Sequence, residues 1–203
     1  KKGMIVAKAS YETTDPTVSN QMVTLKSSGA DTFFNVTTPK WAAQAIKIAA
    51  ELGWKPTHYL NSVSSSVGSV MVPAGAENGI GIISSNYFKD PADPVWANDK
   101  GFLEYKAWLE KNMPGANIVE GFYVSGYIHA AATAQVIRQA GDDLTRANIM
   151  KQAANLKNFE NGMLLPGIKL NTSATDFYPV ENKQLMKWNG KSWEMFGEIY
   201  GPK

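Results

Sequence analysis

The sequence predicts an α/β fold in which helices pack on both faces of a parallel sheet. Short apolar runs alternate with amphipathic helical patterns over residues 1–88. Hydrophobic residues make up 44% of the 203-residue chain, which is enough to bury one large core or two modest ones. No apolar run is long enough to cross a membrane. These observations favour one or two layered α/β bodies.

The first part of the chain carries four predicted strands and two predicted helices. In order, they are a strand over residues 4–11 buried on both faces, a helix with Asp15 as N-cap that ends near Gly29, a strand over 31–36, a helix from Thr38 to Gly53, and strands over Thr57–Leu60 and 79–85.

The second part begins after a proline-bearing connection at residues 89–94, which predicts a crossing between two bodies. Its predicted elements are a helix over 99–112, a strand over 118–123, helices over 127–139 and 146–156 with Thr145 capping the latter, a strand near Ile168, and a hairpin over 184–200 that turns at Asn189-Gly190 with type I′ geometry.

Composition excludes several classes of function. The formal net charge is +2, from 20 Lys+Arg and 18 Asp+Glu, and only Arg138 and Arg146 are arginines. A nucleic-acid surface built by mass of positive charge is therefore not expected. The chain has no cysteine, so disulfides, thiolate metal sites and cysteine nucleophiles are excluded.

No motif in the sequence indicates catalysis. His58, on a predicted strand, and His129, in a predicted helix, have no carboxylate at a matching spacing, and we expect both to be satisfied structural groups. The Gly79-Ile80-Gly81 run begins like a dinucleotide fingerprint but lies within a predicted strand. Asp142 and Asp143 are expected to be solvent-exposed. We therefore predict no enzyme, no cofactor and no metal site.

The ends of the predicted strands are the candidate binding site, because ligands of open α/β sheets bind beyond the carboxyl ends of the strands. The residues there are small hydroxyls and amides with nearby aromatics, which suits a neutral or weakly polar ligand. They are Thr37 and Thr38 after the second strand, Asn61, Ser62 and Val63 after the third, and Asn86 and Tyr87 after the fourth. Thr38 and Ser62 are equally well explained as helix N-caps.

Three stretches of the chain resemble the branched-chain amino-acid-binding family of solute-binding proteins, which serve ABC transporters. They are SSGADTFFNVTTPKWAAQAIKIAAELGWKP, GAENGIGIISSNYFKDPADP and EGFYVSGYIHAAATAQVIRQAG. The resemblance implies a type I periplasmic binding protein with two Rossmann-like lobes that close on a small solute at a hinge. Residues 1–88 and 183–203 would then belong to the second lobe and residues 89–182 to the first, with hinge segments at 86–90 and 178–182.

The same resemblance implies that the amino-terminal half of the fold is absent from this chain. The strand missing from the sheet would belong between residues 4–11 and 31–36, which leaves unpaired edges. The implied partners are therefore the missing half or a swapped copy, together with a transporter permease, and the implied location is the periplasm. Neither nucleic acid nor membrane insertion is expected.

The resemblance also bears on the ligand. Amino-acid-binding relatives pair the ligand ammonium with an acidic residue beyond the third strand, and Val63 is nearest that position here. We therefore expect an aromatic or aliphatic carboxylic acid without an α-amino group in preference to a branched-chain amino acid. Phe122 and Tyr123 match the position from which the first lobe supplies an aromatic wall. A ligand-sensing regulator of the same fold is the alternative function, and an α/β enzyme is the weakest.

Overall fold

Helices and strands alternate along the chain in the computed structural model, which describes residues 3–201. In chain order they are α1 (Ser19–Ser27), β1 (Thr32–Asn35), α2 (Pro39–Glu51), β2 (Thr57–Leu60), β3 (Ile83–Asn86), α3 (Lys100–Asn112), α4 (Gly121–Ala140), α5 (Arg146–Ala153), β4 (Lys183–Trp188) and β5 (Trp193–Tyr200).

The chain divides into two compact units. Of the described residues, 3–85 with 186–196 form one, here called the sheet unit, and 86–185 with 197–201 form the other, here called the helical unit. The assignment of these units to the two lobes of a binding protein stays a prediction.

The sheet has the order β1-β2-β3-β4-β5. β1 pairs with β2 in parallel, with Phe34 opposite Tyr59, and β2 pairs with β3 in parallel. The N–H of Trp188 in β4 donates to the carbonyl of Ile82 at 2.9 Å. The α/β class is confirmed, and β1, α2 and β2 form where the sequence predicts them.

One core cluster of the sheet unit lies under α1 and α2. Pro39 is the first residue of α2, where its fixed φ suits the helix and its missing N–H costs nothing. The buried alanines of α2 let it pack closely against Phe33 of β1. The residues of this core cluster are Val18, Met22, Phe33, Ala45 and Ala49.

The other face of β1 and β2 is uncovered among the described residues. Side chains alternate between the faces of a strand, so Phe34 and Tyr59 point opposite to Phe33. Their rings stack at 5.1 Å, with Phe34 70% and Tyr59 38% exposed. In residues 3–201, helices therefore cover one face of this part of the sheet, whereas the sequence predicts them on both.

The predicted strand over residues 4–11 is not formed. Residues 5–10 lie outside any helix or strand, and the side chains of Met4, Ile5 and Val6 are exposed. A strand is stabilised by a hydrogen-bonded neighbour, and no described strand pairs with this segment. Its apolar composition alone could not reveal this.

Two other boundaries in the sheet unit differ from the prediction. α1 begins at Ser19 after Val18, and Asp15 is not its N-cap, because the Asp15 carboxylate accepts the N–H of Glu12 at 2.8 Å. β3 begins at Ile83, because residues 76–79 form a 3₁₀ turn. A Cβ atom at Gly79 of that turn would lie 2.3 Å from the terminal methyl of Met71, so the Met71 side chain would have to shift.

The helical unit packs α3 and α4 around one apolar cluster that includes Tyr105, Leu109, Val124 and Ile128. α3 forms as predicted, and the Asp99 carboxylate at its N-cap accepts the N–H of Phe102 at 3.0 Å. The predicted cap of α5 is also present, with Thr145 accepting the N–H of Asn148.

The predicted strand over residues 118–123 is wrong. α4 already begins at Gly121, where the Glu120 carboxylate accepts the N–H of Phe122 at 3.2 Å. The cap provides the first turn with a hydrogen-bond partner and lets the helix include the aromatic pair. Near Ile168 the described chain forms only single antiparallel bridges, one of them between Phe159 and Leu170, instead of a strand.

The hairpin of β4 and β5 is present, but its turn is not type I′. That turn needs positive φ at both central residues. Gly190 has φ +101°, whereas Asn158 is the one non-glycine residue with positive φ in the described chain, so Asn189 does not qualify. Instead, the Asn189 side-chain oxygen accepts the N–H groups of Lys191 and Ser192, both at 2.9 Å.

Candidate functional site

The carboxyl ends of β1 and β2 are joined by side-chain hydrogen bonds. The Asn61 amide nitrogen donates to the carbonyls of Asn35 at 3.2 Å and Thr37 at 2.8 Å. The Ser64 hydroxyl also donates to the carbonyl of Thr37. Because these bonds link the two strand ends, the structure brings the predicted site residues Thr37 and Asn61 together.

Both the nitrogen and the oxygen of the Asn61 side-chain amide form hydrogen bonds to the backbone. Its oxygen accepts the N–H of Val63 at 3.1 Å, which caps the 3₁₀ turn over Ser62–Ser64. Asn61 is therefore the N-cap of this turn, and the interpretation of Ser62 as an N-cap is wrong. The side chain of Val63 is 55% exposed on this turn.

Asn35 is a residue of this strand edge that sequence reasoning missed. Its side-chain oxygen accepts the Thr37 hydroxyl at 2.6 Å. The side chain is buried, and its amide nitrogen has no hydrogen-bond partner among the described residues. A polar amide at the end of the apolar run DTFFNV is the signal that could have pointed to it.

Thr38 holds the N-cap position of α2 without capping it. Its hydroxyl lies 3.1 Å from the Tyr11 hydroxyl and makes no bond to the helix backbone. The Thr38 N–H donates to the same Tyr11 oxygen at 2.8 Å. Thr38 is therefore N-cap by position only, and Tyr11 is a second residue of this edge that the sequence did not reveal.

The strand ends carry no formal charge. Residues 35–38 and 61–66 include no acidic or basic side chain. The histidine of β2, His58, has a pKa that burial lowers to about 4, so that it is neutral near pH 7. This part of the sheet unit offers hydroxyls, amides and two exposed valines, Val36 and Val63.

The His58 side chain is buried, and one of its ring nitrogens lacks a hydrogen-bond partner in the described chain. Its ring packs 4.7 Å from the Phe33 ring, and its Nε2 atom has no hydrogen-bond partner in the described chain. The expectation that it is a satisfied polar group is wrong. His129, by contrast, is an exposed residue of α4 with Nδ1 at 2.7 Å from the Ser125 carbonyl oxygen.

The predicted aromatic residues lie in the helical unit. Phe122 and Tyr123 belong to the first turn of α4, and both side chains are exposed. In the same unit, the Tyr87 hydroxyl lies 3.2 Å from the Ser125 hydroxyl, and the Asn86 side-chain oxygen accepts the N–H of Tyr87 at 2.8 Å. A role for Phe122 or Tyr123 in binding stays a prediction.

Residues 3–201 contain no cluster of three or more histidine, aspartate or glutamate side chains suited to a metal ion. Over the same residues, no helix combines the length and apolar character needed to cross a membrane.

The model of the family described as "Periplasmic binding protein" matches residues 1–192. The chain belongs to this family. None of the curated proteins matches it.

Solved structures of periplasmic binding proteins have the same fold. A branched-chain amino acid ABC transporter protein from Thermus thermophilus, with bound valine, is 16% identical, with a TM-score of 0.76 over 91% of this chain and 50% of that one. The leucine-binding protein LivK from Thermotoga maritima is 14% identical, with a TM-score of 0.70 over 97% and 52%. A substrate-binding periplasmic protein from Ralstonia solanacearum is 19% identical, with a TM-score of 0.74 over 94% and 52%.

These likenesses show the fold of a type I periplasmic binding protein, as the resemblance in the sequence implied. At sequence identities of 14–19%, these structures are evidence for the fold of this chain and not for its ligand. The chain spans about half the length of these relatives.

Proposed function

We propose that this protein binds a small solute without altering it and delivers the solute to the permease of an ABC transporter in the periplasm. Membership of the periplasmic binding protein family supports this proposal. The observation that carries it is the uncharged edge at the carboxyl ends of β1 and β2, where Thr37, Asn61 and Ser64 are joined. These bonds hold the two strand ends in place, and ligands of parallel sheets bind in the crevice beyond such ends.

The proposed ligand is an aromatic or aliphatic carboxylic acid without an α-amino group. Residues 61–66 contain no carboxylate, and Val63 presents an apolar side chain there. A ligand ammonium that loses water beside these residues without a carboxylate partner costs several kcal/mol, on the order of a buried unpaired charge. Removing the amino group removes that cost.

The exposed rings of Phe122 and Tyr123 support the aromatic form of this ligand. In the helical unit both rings are available on the first turn of α4. Offset stacking on an aromatic acid contributes about 0.5–1.5 kcal/mol beyond the area buried. Phe122→Ala is expected to weaken binding of an aromatic acid more than binding of an aliphatic acid.

Matched ligand pairs test the proposal. Leucine is compared with 4-methylpentanoate and phenylalanine with 3-phenylpropanoate, so that each pair differs only in the α-amino group. A ligand at about a hundred times its Kd adds about 2.7 kcal/mol and raises the Tm by about 5–10 °C. We expect this shift from the acids without an amino group. Stabilisation by the amino acids alone contradicts the proposed ligand class, and turnover of any bound ligand contradicts the proposed function.

Val63→Asp sharpens the same test. The substitution places a carboxylate where an exposed valine stands, and we expect it to move the preference toward the amino acid of each pair. Val63→Asn is the matched control, because it has the same shape without the charge. If Asp and Asn behave alike, charge at this position does not select the ligand.

A further inference from the structure

We propose that Asn189 is a site of spontaneous deamidation, at which the backbone nitrogen of Gly190 displaces ammonia from the Asn189 side chain. The Gly190 nitrogen bonds to the side-chain carbon Cγ, the C–N bond of the side-chain amide breaks, and the proton of the Gly190 N–H leaves with that nitrogen as ammonia. Water then opens the cyclic imide to isoaspartate or aspartate. The modification is independent of solute binding and is tested without a ligand.

Glycine follows asparagine at three positions of the chain, after Asn78, Asn161 and Asn189. A glycine at the next position favours the reaction, because it has no side chain to hinder the approach of its nitrogen and its backbone reaches conformations that other residues rarely adopt. The chain therefore offers two internal references for Asn189, and the structure gives the three pairs different surroundings.

The pair at Asn189 lies in the turn of the β4–β5 hairpin, where its side chain is exposed. The Asn189 side-chain oxygen accepts the N–H groups of Lys191 and Ser192, both at 2.9 Å. Attack at Cγ places negative charge on this same oxygen, and the two donors stabilise that charge. The bond from Lys191 also closes a ring of atoms that contains both Cγ and the Gly190 nitrogen, which limits the separation of the two reacting atoms.

The backbone of Gly190 has room for the change of shape that the imide requires. Gly190 has φ +101°, and a Cβ atom added to it would meet only the side chain of Ile80, at 3.2 Å. The end of an isoleucine side chain can turn aside, whereas a neighbouring backbone cannot. Closure of the imide at this turn therefore displaces no other segment.

The pair Asn161-Gly162 is held in place by other segments. The Gly162 carbonyl accepts the buried Lys89 ammonium at 2.8 Å, and a Cβ atom at Gly162 would lie 2.8 Å from the Cα atom of Gly101 in α3. Movement of Gly162 toward the Asn161 side chain would break the bond to Lys89 and disturb this backbone contact. We expect Asn161 to react slowly for this reason.

The pair Asn78-Gly79 is held by a compact turn. It lies in the 3₁₀ turn over Ala76–Gly79, and Gly79 is buried. The Asn78 side-chain nitrogen donates to the Ala74 carbonyl at 2.8 Å. Imide formation requires the Asn78 backbone to leave its helical conformation, and the packing around Gly79 opposes this change. Asn189 is therefore the pair that the fold leaves reactive.

Deamidation at Asn189 is expected to weaken the hairpin. The Asn189 side-chain nitrogen donates to the Glu194 carboxylate at 2.7 Å, and this donor is lost with the ammonia. The new carboxylate also adds a second negative charge beside Glu194. In the isoaspartate product the main chain runs through Cγ, so the oxygen that accepts from Lys191 and Ser192 becomes part of a longer backbone and the turn geometry changes.

Peptide mapping by mass spectrometry, on the chain kept near pH 8 and 37 °C, tests the proposal. In the folded protein we expect Asn189 to deamidate about tenfold or more faster than Asn78 and Asn161. In guanidinium chloride the three asparagines should react at similar rates, because the fold no longer separates them. Equal rates in the folded protein overturn the proposal, as does an Asn189 that reacts more slowly than either reference.

Substitution by glutamine tests the assignment by a second measurement, the growth of an acidic form on ion exchange. Asn189→Gln is expected to stop most of this growth, because a glutamine side chain must close a larger ring. Asn161→Gln is the matched control and is expected to acidify at the wild-type rate. An Asn189→Gln chain that acidifies as fast as wild type contradicts Asn189 as the site.

The acidic form, once isolated, tests the effect on the hairpin. We expect its Tm to lie about 2–4 °C below that of the fresh chain. Asn189→Asp has the new charge with an unaltered backbone and is expected to lose less, since its side chain still accepts the N–H groups of Lys191 and Ser192. A deamidated form as stable as the fresh chain would show that the modification leaves the hairpin intact, against this part of the proposal.

Discussion

The buried ammonium of the helical unit is paired, whereas the buried imidazole of the sheet unit is not. In the helical unit, the nearly buried Lys89 ammonium donates to the Asp99 carboxylate at 2.7 Å and to the Gly162 carbonyl at 2.8 Å. In the sheet unit, the buried His58 ring and Asn35 amide each leave one nitrogen without a hydrogen-bond partner. Paired groups hold two segments in place, whereas unpaired groups make the fold sensitive to pH and substitution. The unpaired groups lie on the two strands that carry the candidate site.

The largest expected effect is at Gly101, where α3 meets the Gly162 segment. A Cβ atom at Gly101 would lie 2.0 Å from the Gly162 carbonyl oxygen, so the backbone must move. We expect Gly101→Ala to lower the free energy of unfolding by about 3 kcal/mol or more, measured by urea titration. Gly126→Ala in α4 is the control, since nothing lies within 4 Å of its added Cβ, and it should stabilise by about 0.5–1 kcal/mol. Equal effects of the two substitutions would show that the close contact is unimportant.

Removal of the Lys89 ammonium is expected to have the next largest effect on the free energy of unfolding. Burial alone would raise the pKa of Asp99, but hydrogen bonds from Lys89 and the Phe102 N–H and the Lys89 charge lower it. We expect Lys89→Met to cost about 2–3 kcal/mol, because the carboxylate and the Gly162 carbonyl both lose a donor. Lys169→Met, which breaks an exposed ion pair with Glu160, should cost less than about 1 kcal/mol. Both are measured by urea unfolding, and a Lys89→Met variant no weaker than the control contradicts the role of the pair.

His58 predicts a loss of stability in acid. Its pKa falls from 6.5 when unfolded to about 4 when folded, so the unfolded chain binds more protons between these values. The stabilising contribution is present above pH 6.5 and is lost as the pH falls toward 4. Between pH 7 and pH 5 this loss amounts to about 2 kcal/mol.

A matched pair of variants isolates this effect. We expect His58→Phe to flatten the dependence of the unfolding free energy on pH over that range, while His129→Gln, at an exposed position of α4, leaves it unchanged. An equal slope in wild type and His58→Phe would show that the imidazole is not the titrating group.

The smallest effect is expected at Tyr105 of the helical unit. Burial raises the pKa of its hydroxyl to about 12, and the hydroxyl has no hydrogen-bond partner in the described chain. Tyr105→Phe should therefore be neutral or stabilise by up to about 1 kcal/mol in thermal unfolding. A clear loss of stability would mean that the hydroxyl is paired in solution.

Local pattern was sufficient where the partner of an element lies close in the chain. β1, α2 and β2 follow one another, so alternation, Pro39 and Gly53 predict them correctly. Residues 4–11 have the same apolar character as β1, but a strand depends on a neighbour that composition cannot supply. The aromatic residues at 122–123 favour a strand by propensity, yet the Glu120 cap and the packing of α4 place them in a helix.

The proximity of Thr37 and Asn61 was predicted from the sequence, but the hydrogen bonds that they make were not. The rule for parallel sheets correctly brings Thr37 and Asn61 to one edge. It does not show that the Asn61 amide nitrogen donates to two backbone carbonyls, nor that the Tyr11 hydroxyl forms a hydrogen bond with the Thr38 hydroxyl. Such bonds join residues more than twenty positions apart, and their geometry depends on the folded backbone.

The tryptophans of the final hairpin delay completion of the sheet until late in the synthesis of residues 1–200. The Trp188 indole donates to the Ala76 carbonyl at 2.7 Å, and the Trp193 indole donates to the Ser65 carbonyl at 2.8 Å, contacts that join residues 112 and 128 positions apart. β3 acquires its outer neighbour from the same hairpin. A nascent chain on the ribosome therefore holds β1 to β3 unfinished while residues 86–185 of the helical unit are translated. Until this hairpin emerges, a chaperone has an incomplete sheet to protect.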